Sequence, residues 1–241
     1  MTDILFGQSY YLRFDPKLWA AMQPYPPLGT MIAAACVRQQ GYDVALFDAM
    51  LADSPAEWAA ALDKHCPRIA VIYEDNFNYL SKMCLLNMRQ AAFQMLALAK
   101  QRGCLTIVCG SDAADHYPLY LQNGADFVIL GEGEETLTEL LAEIGDWKPE
   151  TAPSPPPLTP SPPHPLTPSP PHSPIPSLAW RAPNGPVATP RRPPLRDVDS
   201  LPFPAWDLID VEKYRRIWLA RHGYFSMNMV TTRGCPYHCN W

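Results

Sequence analysis

Two thiols near the carboxyl end of the sequence have the spacing to do chemistry. Cys235 and Cys239 stand four apart in T-T-R-G-C-P-Y-H-C-N-W at 231–241, directly after the apolar run Met227 to Thr232, which reads as a strand. On spacing alone, C-x-x-x-C fits ordinary thiols at a frayed end, half of a zinc site, or a local redox pair, and it does not choose among them. The other five of the seven cysteines, at 36, 66, 84, 104 and 109, sit in apolar helix or strand patterns. With no signal peptide in view, that usage points to a reducing cytoplasm.

The elements that position these thiols begin far upstream. Asp3 to Phe6, Asp43 to Asp48, Ile69 to Tyr73, Leu105 to Cys109 and Phe127 to Leu130 are short, apolar runs of the kind covered on both faces of a sheet. Helical stripes alternate with them: Leu28, Met31, Ile32, Ala35 and Cys36; then Leu85, Met88, Ala92, Met95, Leu96 and Ala99; then Leu137, Leu140, Leu141 and Ile144. Gly41 and Gly103 stand where two of these helices should stop. Alternation of this kind predicts an α/β fold, a flavodoxin-like doubly wound parallel sheet of about five strands in the order 2-1-3-4-5. Ligands in such sheets bind beyond the carboxyl ends of the strands.

That edge is legible in the sequence. The connection after the first strand, 7–27, is long and carries Tyr10, Tyr11, Phe14, Trp19 and Tyr25, and long loops inside compact domains are usually functional. The third strand is followed by E-D-N-F-N-Y at 74–79, the fourth by Gly110, Ser111 and Asp112, and the fifth by Gly131, Glu132, Gly133 and Glu134. Together these loops predict an aromatic, neutral-to-acidic platform suited to a large, flat, partly apolar ligand. The glycine pair at 131 and 133 follows the wrong strand for a dinucleotide fingerprint, and Glu132, Glu134 and Glu135 would repel a pyrophosphate. The plainer reading of these glutamates is that they complement a helix dipole. His65 at a helix end reads as a packing or capping residue; His116, after the fourth strand, is on the edge where a ligand would bind, but the same plain reading is favoured for it.

Composition excludes other classes. The net charge is −5, with ten basic against eighteen acidic residues over 1–148, so no basic surface for nucleic acid is present. No apolar run approaches the roughly 20 residues of a membrane span. From Pro149 the character changes: 19 of the 46 residues at 149–194 are proline, and P-L-T-P-S-P-P-H occurs twice in tandem, at 157–164 and 165–172. Proline at this density blocks helix and central strand, so 149–194 is expected to be a disordered spacer; docking of a proline-reading domain is the lesser alternative. Residues 177–181 and 187–189 flank Asn184-Gly185 as a hairpin signal, and Val211 to Arg221 reads as a helix with Tyr214, Ile217 and Trp218 on its buried face.

P-P-L-G at 26–29 opening a helix, G-Y-D-V at 41–44 leading to Asp48, and A-D-F-V-I-L-G-E-G-E at 125–134 resemble the cobalamin-binding domain that precedes many radical S-adenosylmethionine enzymes. The D-x-H-x-x-G signature whose histidine ligates cobalt in many cobalamin proteins is absent, so a bound cobalamin would lack that lower ligand. L-P-F-P-A-W-D at 201–207 is similar to the phrase that leads into the catalytic barrel of that family. T-T-R-G-C-P-Y-x-C-N-W resembles its C-x-x-x-C-x-x-C signature, with Trp241 at the aromatic position before a third cysteine. Three thiolates on such a loop hold three irons of a four-iron cluster and leave the fourth open.

The resemblance implies a cobalamin site formed by Tyr10, Leu28, Gly29, Glu74, Asp75, Asn76, Gly110, Ser111, Gly131, Glu132, Gly133 and Glu134. It also implies Cys235 and Cys239 as metal ligands of a 4Fe-4S cluster, with Tyr237 near bound S-adenosylmethionine and Gly234 and Pro236 shaping the turn. The expected organisation is a cobalamin-binding domain over 1–148, the linker over 149–194, and over 195–241 a connector with the first elements of an incomplete radical SAM barrel. The sequence ends inside the cluster loop, so this chain is expected to bind cobalamin without completing catalysis. Its parent is expected to be a cobalamin-dependent methyltransferase or related radical enzyme that also takes S-adenosylmethionine and an electron donor. A stand-alone cobalamin-binding or sensory module is the alternative.

Overall fold

The computed structural model describes residues 2–74, 85–144, 175–231 and 233. Five parallel strands form as expected: β1 (Ile4–Gly7), β2 (Val44–Phe47), β3 (Ile69–Tyr73), β4 (Leu105–Cys109) and β5 (Phe127–Ile129). Their order is 2-1-3-4-5, with Ile4 in register with both Val44 and Ile69. Two further strands, β6 (Leu178–Ala182) and β7 (Gly185–Ala188), continue the sheet antiparallel beyond β5. The hairpin signal was in the sequence, but its place on the sheet was not, and the sheet has seven strands where about five were expected. The last part of the segment expected to be linker, 149–194, therefore holds two strands; β6 covers the otherwise open edge of β5, the usual remedy for an unpaired edge. The tandem repeat at 157–172 lies outside the described residues.

Alternation along the strands separates two cores. Ile4, Phe6, Val71, Ile107, Phe127 and Ile129 point to one face, where α2 (Leu28–Gln39) and α7 (Glu134–Ile144) cover them. Leu5, Ile72, Val108 and Val128 point to the other, against α3 (Pro55–His65), α4 (Leu85–Gln101) and the short α5 (Ser111–Asp115) and α6 (Tyr117–Gln122). The expected stripes are largely the buried ones: Met88, Ala92, Met95, Leu96 and Ala99 on α4, and Leu137, Leu140 and Leu141 on α7. α2 is buried more widely than its stripe predicts, through Ala33, Ala34 and Val37, because it is pressed between the sheet and α7. α2 and α4 end just before Gly41 and Gly103, both at positive φ, as their composition predicts.

The long connection after β1 differs from the expected platform. It folds on itself around α1 (Pro16–Ala21), whose N-cap Asp15 is buried and accepts bonds from the Leu18 amide and the Tyr10 hydroxyl, each at 3.1 Å. Tyr10 and Tyr11 are buried, not presented; of the five aromatics only Trp19 is well exposed. Over this connection lies α8 (Val211–His222), close to the expected helix, with Tyr214 and Trp218 as its buried pair. Met227 to Val230 joins no strand among the described residues, against the strand expected over Met227 to Thr232. Met229 and Val230 face solvent, and a segment with no neighbouring strand has no ladder to join.

Candidate functional site

At the carboxyl edge, backbone and side chains knit the loops together. Ser9, just past β1, donates its amide to both oxygens of Glu74, past β3, at 3.0 and 3.1 Å. The Glu74 amide in turn donates to the Cys109 carbonyl at 2.8 Å. Thr30 in the first turn of α2 donates its hydroxyl to the Tyr73 carbonyl at 2.6 Å, so α2 is pinned to the end of β3. Leu28 is buried beneath this joint, with Gly29 partly exposed beside it.

Close approach explains the glycines. A methyl on Gly110 would lie 2.7 Å from Cβ of Glu74. On Gly133 it would lie 2.6 Å from Sγ of Cys109 and 2.8 Å from the ring and hydroxyl of Tyr73. Gly131 differs: its φ is +106°, a conformation that favours glycine, and among the described residues nothing stands within 4 Å of where its side chain would be, as at the turn glycines Gly41, Gly103, Gly185 and Gly223. The space over Gly131 is open.

The buried groups beneath this loop are neutral. Burial pushes the Tyr73 hydroxyl well above its ordinary range, reinforced by Cys109 and Glu134. Burial, with Glu134 nearby, raises the Cys109 thiol strongly and pushes Cys36 up to about 11. Cys36 and Cys109 are therefore packed thiols and not thiolate ligands. Among the described residues no cluster of histidine, cysteine and carboxylate could hold a metal ion.

Both acidic residues of the loop after β5 have protein partners. Glu132 accepts the Leu195 amide at 2.7 Å, and its carboxylate lies 3.5 Å from Nε of Arg233. Glu134, in the first turn of α7, takes one Arg233 nitrogen at 2.7 and 2.9 Å. The dipole reading suits Glu134 and Glu135 by position, but Arg233 is what sequence reasoning passed over. Its signal was present: a lone cation next to the two thiols, matched by an acidic loop.

Two more residues were not foreseen. Gln8 and Asn228 are both buried, yet Gln8 Nε2 and Asn228 Oδ1 find no hydrogen-bond partner among the described residues. Gln8 uses its other atom on the Tyr10 amide, and Asn228 uses its Nδ2 on the Pro26 carbonyl. Of the two histidines, His65 is partly buried at its helix end, whereas His116 neither packs nor caps through its side chain. His65 is at the opposite edge, 3.5 Å from the Thr2 hydroxyl, and His116 is half-exposed, 3.7 Å from Asp112. Asp75, Asn76, Cys235, Tyr237 and Cys239 lie outside the described residues, as do Gly234, Pro236 and Trp241.

With this edge defined, the B12 binding domain family model matches residues 20–141. The chain belongs to the B12-binding domain family. Curated relatives of this B12-binding chain include the anaerobic magnesium-protoporphyrin IX monomethyl ester cyclase of Synechocystis, 24% identical over 221 residues that make up 90% of this chain and 37% of the cyclase. An uncharacterized methyltransferase of Pyrococcus horikoshii is 25% identical over 89% of this chain and 39% of its own length. The chain thus spans well under half the length of these relatives. In fold it is similar to the radical S-adenosylmethionine methyltransferase TsrM from Kitasatospora setae, solved with cobalamin and a [4Fe-4S] cluster bound. The TM-score is 0.53 at 14% identity, covering 84% of this chain and 31% of TsrM.

The donor set fits the ligand that the family name implies. Cobalamin is a broad ring fringed with neutral amides. This edge offers an amide donor at Gln8, an amide acceptor at Asn228, glycine backbone at 110, 131 and 133, and open room over Gly131. Among the described residues no helix is long and apolar enough to cross a membrane.

Proposed function

We propose that this chain binds cobalamin at the carboxyl edge of its sheet and forms the N-terminal part of a cobalamin-dependent radical S-adenosylmethionine enzyme. The observation that carries the reading is the unpartnered pair, Gln8 Nε2 and Asn228 Oδ1, at the edge of a B12-binding fold with open room over Gly131. Gln8 and Asn228 bind amide groups of the ring. The backbone at Gly110, Ser111, Gly131 and Gly133, with the start of α2 at Leu28 and Gly29, shapes the floor. Tyr10 supports the loop after β1 from within, while Glu74 holds it through Ser9. Asp75 and Asn76, from the same loop as Glu74, complete the contact set. When bound, cobalamin supplies a cobalt centre able to carry a methyl group.

Residues 1–148 make the cobalamin-binding domain, to which β6 and β7 add their strands, and 195–241 lead to the radical S-adenosylmethionine domain. There Cys235 and Cys239 are two ligands of a 4Fe-4S cluster, with Tyr237 beside S-adenosylmethionine. The names of the curated relatives, one a cyclase and one a methyltransferase, support a parent enzyme of the methyltransferase or related radical class, served by an external electron donor. None of the four described cysteines is in a disulfide, which suits a reducing cytoplasm.

Purified protein mixed with hydroxocobalamin and desalted tests the central claim. Co-elution near one to one with a shifted corrin absorbance is expected. Elution of colourless protein overturns it.

A further inference from the structure

Arg233 is two residues before Cys235 and 99 residues away in sequence from Glu134, yet its guanidinium lies on the carboxylates of the loop after β5. We infer that Arg233, Glu132 and Glu134 form a latch that ties the cysteine loop to the cobalamin edge, so that occupancy of the edge is felt at the cysteines. In this pairing Arg233 is a positioning residue.

Three features separate the latch from an incidental surface ion pair. Glu134 is only 5% exposed and the Arg233 side chain 27%. Exposed pairs are worth little because water screens them, but a carboxylate this covered loses solvation and needs a cation or a helix terminus. Glu134 has both, since it stands in the first turn of α7. Second, the joint has three strands of chain in it. Glu132 also receives the Leu195 amide at 2.7 Å, so the chain entering the C-terminal segment and the chain approaching the cysteines converge on one loop.

Third, the loop that carries the latch is itself stiffly seated. Gly133 is pressed against Tyr73 and Cys109, so Glu132 and Glu134 cannot drift without disturbing the ends of β3 and β4. The room over Gly131 adjoins this seat. A ligand that fills it meets the backbone whose carboxylates hold Arg233. Two residues of chain reach at most about 7 Å, so whatever Cys235 binds is carried on a short lead from the edge.

Hydrogen exchange read by mass spectrometry on the full chain, with and without hydroxocobalamin, tests this. Only the cobalamin arm rests on the function proposed above. Without ligand, R233Q and E134Q are each expected to speed exchange in both 131–137 and 226–233 by about five- to thirtyfold, with R233K falling between them and the parent. With ligand, the parent is expected to slow in both segments, whereas R233Q slows only in 131–137. Because E134Q is nearly isosteric, it keeps the test valid should R233Q fold poorly. Ligand-free exchange equal to the parent in both variants overturns the latch, as does ligand protection that still spreads to 226–233 in R233Q. Absence of any corrin shift in the parent overturns the cobalamin reading alone and leaves the ligand-free comparison to decide the latch.

Discussion

Removing the Trp218 side chain should strip α8 from the sheet's edge. Trp218 is buried, donates Nε1 to the Pro24 carbonyl at 2.8 Å, and has the rings of Tyr25, His222 and Tyr224 within 4.9 to 5.6 Å. An indole that covers about 150–250 Å² is worth ~4–6 kcal/mol at 25 cal/mol per Å², an upper bound because unfolded chains are partly compact. Truncation series place such losses at about 3–5 kcal/mol. The hydrogen bond is ~1 kcal/mol of this. A helix of twelve residues does not persist in water without packing, so W218A is expected to lower the urea unfolding free energy by ~3–5 kcal/mol and to release amide protection over 211–222. W218F keeps most of the area and should lose only about 1–2 kcal/mol. An unchanged midpoint with unchanged exchange in W218A would refute the docking argument. Equal damage from W218F would show that the Pro24 hydrogen bond dominates the packing.

Two further outcomes follow from the edge and the core behind it. G133A must displace Tyr73 or Cys109, both buried at strand ends, and is expected to cost about 1–3 kcal/mol in thermal or urea unfolding and to weaken retention of hydroxocobalamin on desalting. R89M removes the guanidinium bound to Asp112 at 2.5 and 2.8 Å, leaving the Tyr120 hydroxyl as hydrogen-bond partner and the His116 ring at 3.7 Å. Burial raises the Asp112 carboxyl, but the Arg89 and Tyr120 bonds outweigh it and hold it below the usual range. A lowered carboxyl contributes stability above its unfolded pKa of ~3.9 and loses it as pH falls through the folded value. R89M should therefore cost ~2–3 kcal/mol at pH 7 and progressively less below about pH 4 in urea titrations.

What the sequence disclosed and what it withheld divide along the range of the interactions. The five parallel strands are short apolar runs separated by periodic helices, and a two-residue or 3.6-residue period is a local signal. Their order follows from alternation, and Gly41 and Gly103 mark helix ends by a local backbone need. The hairpin at 178–188 was visible, but its seat on β5 depends on pairing Phe127 with Trp180 across the proline tract, which no local pattern records. The loop after β1 looked like an aromatic platform because its tyrosines were countable; Tyr10 is buried by Met50, Met88 and Tyr214 and Tyr11 by the core that holds Met95, all brought by tertiary packing, while Asp15 holds the Tyr10 hydroxyl from within the loop. The edge residues 110, 131 and 133 were legible as glycines, whereas the partners of Glu132 and Glu134 were not, since Arg233 and Leu195 come from beyond the spacer.

The stretch matched by the family, 20–141, is smaller than the unit that the physics closes. It omits β1, the strand between β2 and β3, so β2 has no partner in the sheet without residues that precede the match. It also ends before β6, which covers the exposed ladder of β5, and before Tyr214, whose hydroxyl donates to Asp48 at 2.6 Å past β2. The last contacts run along the carboxyl edge: Tyr214 at Asp48, Trp218 at Pro24, Asn228 at Pro26, and Arg233 at Glu134. A segment satisfied at four successive points on that edge is not a free tether leaving a finished domain. Each contact answers a polar group, a carboxylate or carbonyl, that residues 20–141 alone would leave to solvent, so the approach to the cysteines is built as part of the carboxyl edge itself.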